Sequence, residues 1–306
     1  MPAPADLSKT GSDTVTEEQV EREDTAAVGA GLDALEQQVD TRPPAWRRFL
    51  SGFYPPVIAL LVLLGVWQIA YLQKWKPDYV LPSPASVWDN FISMVADGQA
   101  FSVIWTSVSR GLIGFAVSVL LGTVLGLLIF QIRWLQRSIG PLLTGLQSLP
   151  SVSWVPMAVL WFGLTDWAIY AVVLLGAVPS VANGLLGGMN TVPPLLSRVG
   201  TVLGLGRIGL MKDVLLPAAL PGYLAGLRQG WAFSWRSLMA AELIATSTSL
   251  GLGLGQLMDQ GRSLQDPPTM YTALILIFLV GIGIELLFFR PVERSILHRR
   301  GLTPTR

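Results

Sequence analysis

The stretch NTVPPLLSRVGTVLGLGRIGLMKDVLLPAALPG, residues 190–222, lies between two apolar runs and is punctuated by proline and glycine. Pro193 and Pro194 suit a helix start, where a missing N–H costs nothing and φ is already near the helical value. Residues 195–203 then supply a turn or two of helix. Gly204 and Gly206 interrupt it with residues that tolerate left-handed backbone. A second short helix is expected over 207–215, stopping at Pro217, whose ring and absent N–H disfavour continuation. Helix–glycine–helix makes a projecting elbow. Its surface would offer Leu195, Val199, Val202, Leu203 and Leu210 to a groove on another protein.

What flanks this elbow sets the fold class. Six stretches are long enough to cross a hydrocarbon core, which needs about 20 residues: 53–72, 104–130, 139–164, 167–188, 218–244 and 271–289. Only Thr165 and Asp166 separate the third from the fourth, so a tight turn is expected there. Composition agrees. Of 306 residues 51% are hydrophobic and 13% charged, with a mean hydropathy of +0.53, whereas a soluble domain carries about 25% charged residues. The expected fold is an all-α integral membrane protein with six transmembrane helices. Residues 82–98 read as a short amphipathic helix along the membrane surface, with Val87, Phe91 and Val95 on one face.

Charge is placed unevenly. Residues 1–42 hold ten of the 20 acids against three bases, and are expected to form a disordered acidic cytoplasmic tail. With the N-terminus inside, the inner segments carry thirteen Lys/Arg and the outer loops only Lys74, Lys76 and Arg262, so both termini are expected to face the cytoplasm. The membrane body then spans 43–300, the elbow 190–217 and a short tail 301–306. The chain has no cysteine and one histidine, His298, which excludes Cys nucleophiles, Cys-based zinc sites and multi-histidine metal clusters. Gly204–Gly209 has the spacing of a phosphate-binding loop, but Leu210 stands where its lysine is required. No catalytic constellation is evident, and neither enzyme chemistry, a cofactor nor a metal is expected.

The elbow resembles the EAA loop of binding-protein-dependent ABC importer permeases, whose pattern is Glu-Ala-Ala, three residues, Gly, nine residues, Ile-x-Leu-Pro. Gly204 matches the glycine, and Val214, Leu215, Leu216 and Pro217 match the ending, while Arg198, Val199 and Gly200 replace Glu-Ala-Ala. The stretches LPSVSWVPMAVLWFGLTDWA (149–168), LLPAALPGYLAGLRQGWAFSWRSLMAAE (215–242) and GLGLGQL (251–257) are similar to permeases for nitrate, aliphatic sulfonates and taurine. The resemblance covers roughly residues 55–290. It implies a type I ABC importer permease that homodimerises in membrane lipid, docks a cytoplasmic ATPase dimer that binds the ATP, and receives substrate from an extracytoplasmic binding protein, with no nucleic-acid partner. The coupling residues it implies are Leu195, Arg198, Val199, Gly200, Gly204, Arg207, Val214, Leu216 and Pro217. The implied substrate is an anion, aliphatic sulfonates first, with nitrate, bicarbonate, taurine or a thiamine-precursor-like compound as alternatives.

Charges inside spans are costly and face a partner or a cavity. Arg228 lies about 16 Å along a helix from Pro217, and Trp231, Trp235 and Glu242 follow on the same face. One reading is an anion-attracting, aromatic-lined passage; the other is an Arg–Glu or Arg–backbone pair holding the bundle together. Arg110 and Glu285 read as structural, and Arg236 as a side chain reaching outward to the interface. Gly222, Gly226 and Gly230, with Gly122 and Gly126, suit close helix packing, and Pro150, Pro156, Pro179 and Pro221 suggest broken helices. A stand-alone secondary carrier is the competing class; it would need paired repeats and a coupling-ion site, and no convincing repeat is seen.

Overall fold

The computed structural model describes residues 45–245 and 251–299, and the expected tails 1–42 and 301–306 lie outside them. The described residues form helices and no strand. The chain divides into two compact units, 1–63 and 64–306. The described part of the first is the beginning of helix α1 (Ala45–Leu72), which carries Pro55 and Pro56 without interruption.

In the second unit, α1 ends at Leu72 and α2 (Pro84–Ala96) follows, started by Ser83, whose hydroxyl accepts from the Ser86 N–H at 3.0 Å. Val87 and Met94 are buried, and Thr272 Oγ1 donates to the Val87 carbonyl at 3.3 Å, so the expected amphipathic helix packs against the last long helix. Next come α3 (Gln99–Gln131), α4 (Arg133–Ser148), a single 3₁₀ turn Ser151–Trp154, α5 (Val155–Phe162) and α6 (Asp166–Asn190). After them lie α7 (Pro194–Val202), α8 (Arg207–Ile244), α9 (Leu254–Ser263) and α10 (Pro267–His298).

Helix α6 is the centre. Val172, Val173, Val181, Ala182 and Leu185 are almost fully buried, because α3 covers one side and α8 the other. Glycines permit both approaches. A Cβ at Gly122 of α3 would lie 2.7 Å from Val181 Cβ. On the other side Gly226 faces Gly184 and Gly222 faces Gly188, backbone against backbone. The expected small-residue ridge is therefore an intrachain seam, in which dispersion between closely spaced backbones substitutes for a hydrophobic driving force.

Three expectations change. The stretch 139–164 is two helical pieces rather than one continuous helix: Pro150 holds Leu149 extended (φ −76°, ψ 132°), Pro156 restarts a helix in its first turn, and Gly163 ends it at φ +69°. Five helices among the described residues are long and apolar enough to cross a membrane, and Ser151–Phe162 is a shorter apolar one. Pro179 and Pro221, expected to break helices, sit inside continuous α6 and α8. Pro217 does not stop the helix begun at Arg207. The preceding turn, Leu210–Leu215, is widened to the π form, with the Leu216 N–H reaching back to the Met211 carbonyl. The wider turn relieves the clash of a proline ring with the carbonyl one turn earlier.

Candidate functional site

The elbow forms as a turn with defined hydrogen bonds. At the end of α7 the Leu205 N–H bonds to the Gly200 carbonyl and the Gly204 N–H to the Thr201 carbonyl, both at 3.0 Å, with Gly204 at φ +80°. This is the Schellman closure of a helix, which favours glycine at its left-handed position. Gly206 is extended (φ −70°, ψ 173°). The chain then folds back so that buried Gly200 meets α8: a Cβ there would lie 2.7 Å from Leu210 Cδ1 and 3.3 Å from Val214 Cγ2. Arg207 donates through Nη2 to the Gln131 carbonyl at 3.2 Å, placing a cation at the carbonyl end of α3.

The residues singled out by sequence thus divide. Leu195, Arg198, Val199, Gly204, Arg207 and Pro217 are exposed; Gly200 is buried, and Val214 and Leu216 are half-buried. Leu210 is turned against Gly200 rather than outward, which corrects its place on the docking face. Val202 and Leu203 project furthest, at 86% and 74% exposure, together with Ile208 at 83%. Ile208 was missed because a single apolar residue between glycines has no periodicity to reveal its direction.

At the far end of α8, Glu242 is completely buried. Arg110 Nη1 donates to its Oε1 at 3.1 Å, while Oε2 accepts from Ser107 Oγ at 2.7 Å and from the Gly255 N–H at 3.0 Å. The Leu254 N–H donates to Ser107 Oγ at 2.7 Å, and Arg110 Nε reaches Asp166 Oδ1 at 2.9 Å. One carboxylate therefore ties together α3, α8 and the start of α9, and Arg110 extends the tie to α6. A buried carboxylate is tolerated only with such a full set of charged and hydrogen-bonded partners. Gly253 belongs to the tie, since a Cβ there would lie 2.5 Å from Glu242 Oε1. The glycine run 251–255 had shown up only as a family-like motif, with nothing in its own sequence pointing to Glu242.

Arg228 is elsewhere. It pairs with Glu285 of α10 and, at 3.4 Å, with Glu293, and its side chain is 45% exposed. Trp231 and Trp235 are core residues, 3% and 7% exposed, stacked at 6.0 Å, with Phe115 edge-on to Trp231 at 5.4 Å and Phe289 at 6.3 Å. The four residues of the sequence-predicted face are thus two ion-pair sites joined by an aromatic core; Arg228 and Glu242 do not meet.

The outward side of α8 bears Ala225, Arg228, Gln229, Ala232 and Arg236, all exposed. The other long helices expose a different chemistry: Leu112, Ile113, Leu120 and Val124 on α3, and Leu274, Phe278, Leu279 and Leu287 on α10.

Residues 118–297 match the family described as binding-protein-dependent transport system inner membrane component. The chain belongs to that family. It is 26% identical to a Bacillus subtilis protein named as an aliphatic sulfonates transport permease, SsuC, over 90% of this chain and 97% of that one. It is 30% identical to the Escherichia coli taurine transport system permease protein TauC, over 71% of this chain and 81% of that one. Its fold matches an inward-facing MetNI methionine ABC transporter structure with a TM-score of 0.54 at 19% identity, over 63% of this chain and 94% of that one.

Family membership makes the chain an ABC importer permease of the inner membrane, a transport component rather than an enzyme. It also implies two kinds of partner, an ATPase and a substrate-binding protein.

Proposed function

We propose that two copies of this chain enclose the path of an ATP-driven importer for a small anion, with aliphatic sulfonates as the first substrate class. The observation that carries this reading is the outward side of α8. Gln229, Arg228 and Arg236 are exposed on a helix long enough to span the bilayer, whereas α3 and α10 turn leucine, isoleucine and phenylalanine outward. Polar side chains facing hydrocarbon are costly, so such a face belongs against water or another polypeptide. A second copy facing it across a water-filled passage satisfies that requirement.

In this reading both termini are cytoplasmic, α4 and α5 together make a third crossing to give six, and the body spans 43–300 with an acidic cytoplasmic tail before it. The elbow, 190–217, seats in a partner ATPase dimer, which alone binds ATP; this chain holds no cofactor or metal. Closure of the ATPases pushes α7. Gly200 against Leu210 and Val214, and Arg207 on the end of α3, pass that push to rigid helices. The bundles then rock between outward and inward access, a switch between packed arrangements rather than a bending of helices. Substrate arrives from an extracytoplasmic binding protein.

Relatives named for aliphatic sulfonate and taurine transport support the substrate class. The test is uptake by proteoliposomes containing the chain, its ATPase and its binding protein. Accumulation of labelled taurine or ethanesulfonate that requires ATP and all three proteins is expected. Uptake of nitrate, bicarbonate or a thiamine precursor in place of sulfonates would reassign the substrate, and ion-gradient-driven uptake by the chain alone would replace the importer by a secondary carrier.

A further inference from the structure

The passage proposed above leaves open which residue recognises the anion. Arg228, which one reading of the sequence places in the passage, is paired with two carboxylates, Glu285 and Glu293. A cation held by two acids presents a net negative cluster and does not attract an anion. Arg236 is different. It is exposed on the same side of α8, and among the described residues no carboxylate lies within ion-pair distance of it.

Two contacts fix its head. Arg236 Nε donates to the Ala232 carbonyl at 3.1 Å, and its guanidinium carbon lies 4.7 Å from the centre of the Phe233 ring. Both contacts lie earlier in the helix. The head therefore lies over the turn before its own Cα, the ordinary direction of a helical side chain. Arg236 is eight residues from the end of α8 at Ile244, about 12 Å along the axis. Its charge is held in place by one backbone bond and one ring.

We propose that Arg236 is the anion-recognising residue of the path, with Gln229, two turns earlier on the same side, as a neutral hydrogen-bonding partner. With Nε engaged by Ala232, the two terminal amines of the guanidinium remain to donate to an oxyanion, the paired geometry that suits sulfonate or carboxylate oxygens. Ala232 between these side chains leaves room for a small ligand. The inference rests on the reading of α8's outward side as the wall of the path.

The chain has no cysteine, so single cysteines can be placed without background. Ala232→Cys lies beside the Arg236 head, and Leu120→Cys, at a site 65% exposed on an apolar face, is a lipid-facing control. The full complex in membranes is treated with two methanethiosulfonates, one bearing an ethylsulfonate and one an ethyltrimethylammonium. Both are expected to modify Ala232→Cys and neither Leu120→Cys. The ratio of anionic to cationic reaction rates at Ala232→Cys should fall about tenfold when Arg236→Gln is added, the size expected for one charge about 6 Å away in a water-filled passage when its opposite effects on the two reagents are combined. Arg236→Lys should keep most of it. The ratio cancels any effect of Arg236 on thiol ionisation, because both reagents meet the same thiolate. An unchanged ratio overturns the role of Arg236 and leaves the path in place. Failure of both reagents at Ala232→Cys overturns the path itself.

Discussion

Gly226 of α8 meets Gly184 of α6 backbone to backbone, with no room for a methyl group on either. The same seam continues at Gly222 and Gly188, so the central helix and the helix that carries the polar face are held in backbone contact. This is the mechanical basis for treating them as one rigid body. Gly226→Ala should force the backbones apart and cost about 1–3 kcal/mol or more, as overpacking does. Gly140→Ala in α4, where nothing lies within 4 Å, should be neutral or stabilising by about 0.5–1 kcal/mol. Thermal unfolding of both variants in detergent separates the two outcomes.

The Glu242 tie predicts an asymmetry between the two acids on Arg110. Arg110→Met leaves Glu242 charged in a fully buried position and should cost about 3–5 kcal/mol. Asp166→Asn removes a partner that is 46% exposed and should cost less than about 1 kcal/mol. Equal losses of thermal stability in the two variants would show that the tie does not depend on burial.

Much of this was legible in the sequence because it depends on local chemistry. The apolar runs placed five long helices, and Pro193, Pro194 and Gly204 marked where α7 starts and ends. What sequence missed is long-range. Nothing near Glu242 points to Arg110, 132 positions away, and nothing near Gly253 points to Glu242. Pro217 was misread because a proline normally ends a helix, whereas here a π turn absorbs it. Within 139–164 hydropathy is continuous although the backbone is broken at Pro150, and only the prolines marked the break.

The elbow depends on a left-handed residue at position 204. Gly204→Asn should be tolerated, since asparagine adopts that conformation more readily than most residues. Gly204→Pro cannot reach φ +80° and removes the N–H that bonds to Thr201. Transport per ATP hydrolysed should fall sharply in the proline variant and stay near normal in the asparagine variant, measured by parallel uptake and phosphate-release assays. Normal coupling in Gly204→Pro would separate the elbow from energy transfer.

Arg228 is assigned a structural pairing. Arg228→Gln alone leaves Glu285 and Glu293 close together without a cation, and should destabilise the α8–α10 contact. Adding Glu285→Gln should restore part of the loss, giving a coupling of about 0.5–3 kcal/mol in a double-mutant cycle. A strictly additive pair of losses would argue against the ion pair.

The central claim is that this chain is the moving part of a machine driven by a separate ATPase, gripped at α7 and the start of α8. Purification from native membranes tests it most directly, comparing the unaltered chain with Val202→Glu and Leu203→Glu, whose parent side chains are 86% and 74% exposed and carry no structural contact the fold requires. The account predicts that an ABC ATPase copurifies with the unaltered chain and is lost from both variants while the chain itself remains folded. Recovery of the unaltered chain with no ATPase, or equal recovery of ATPase with the charged variants, would contradict it.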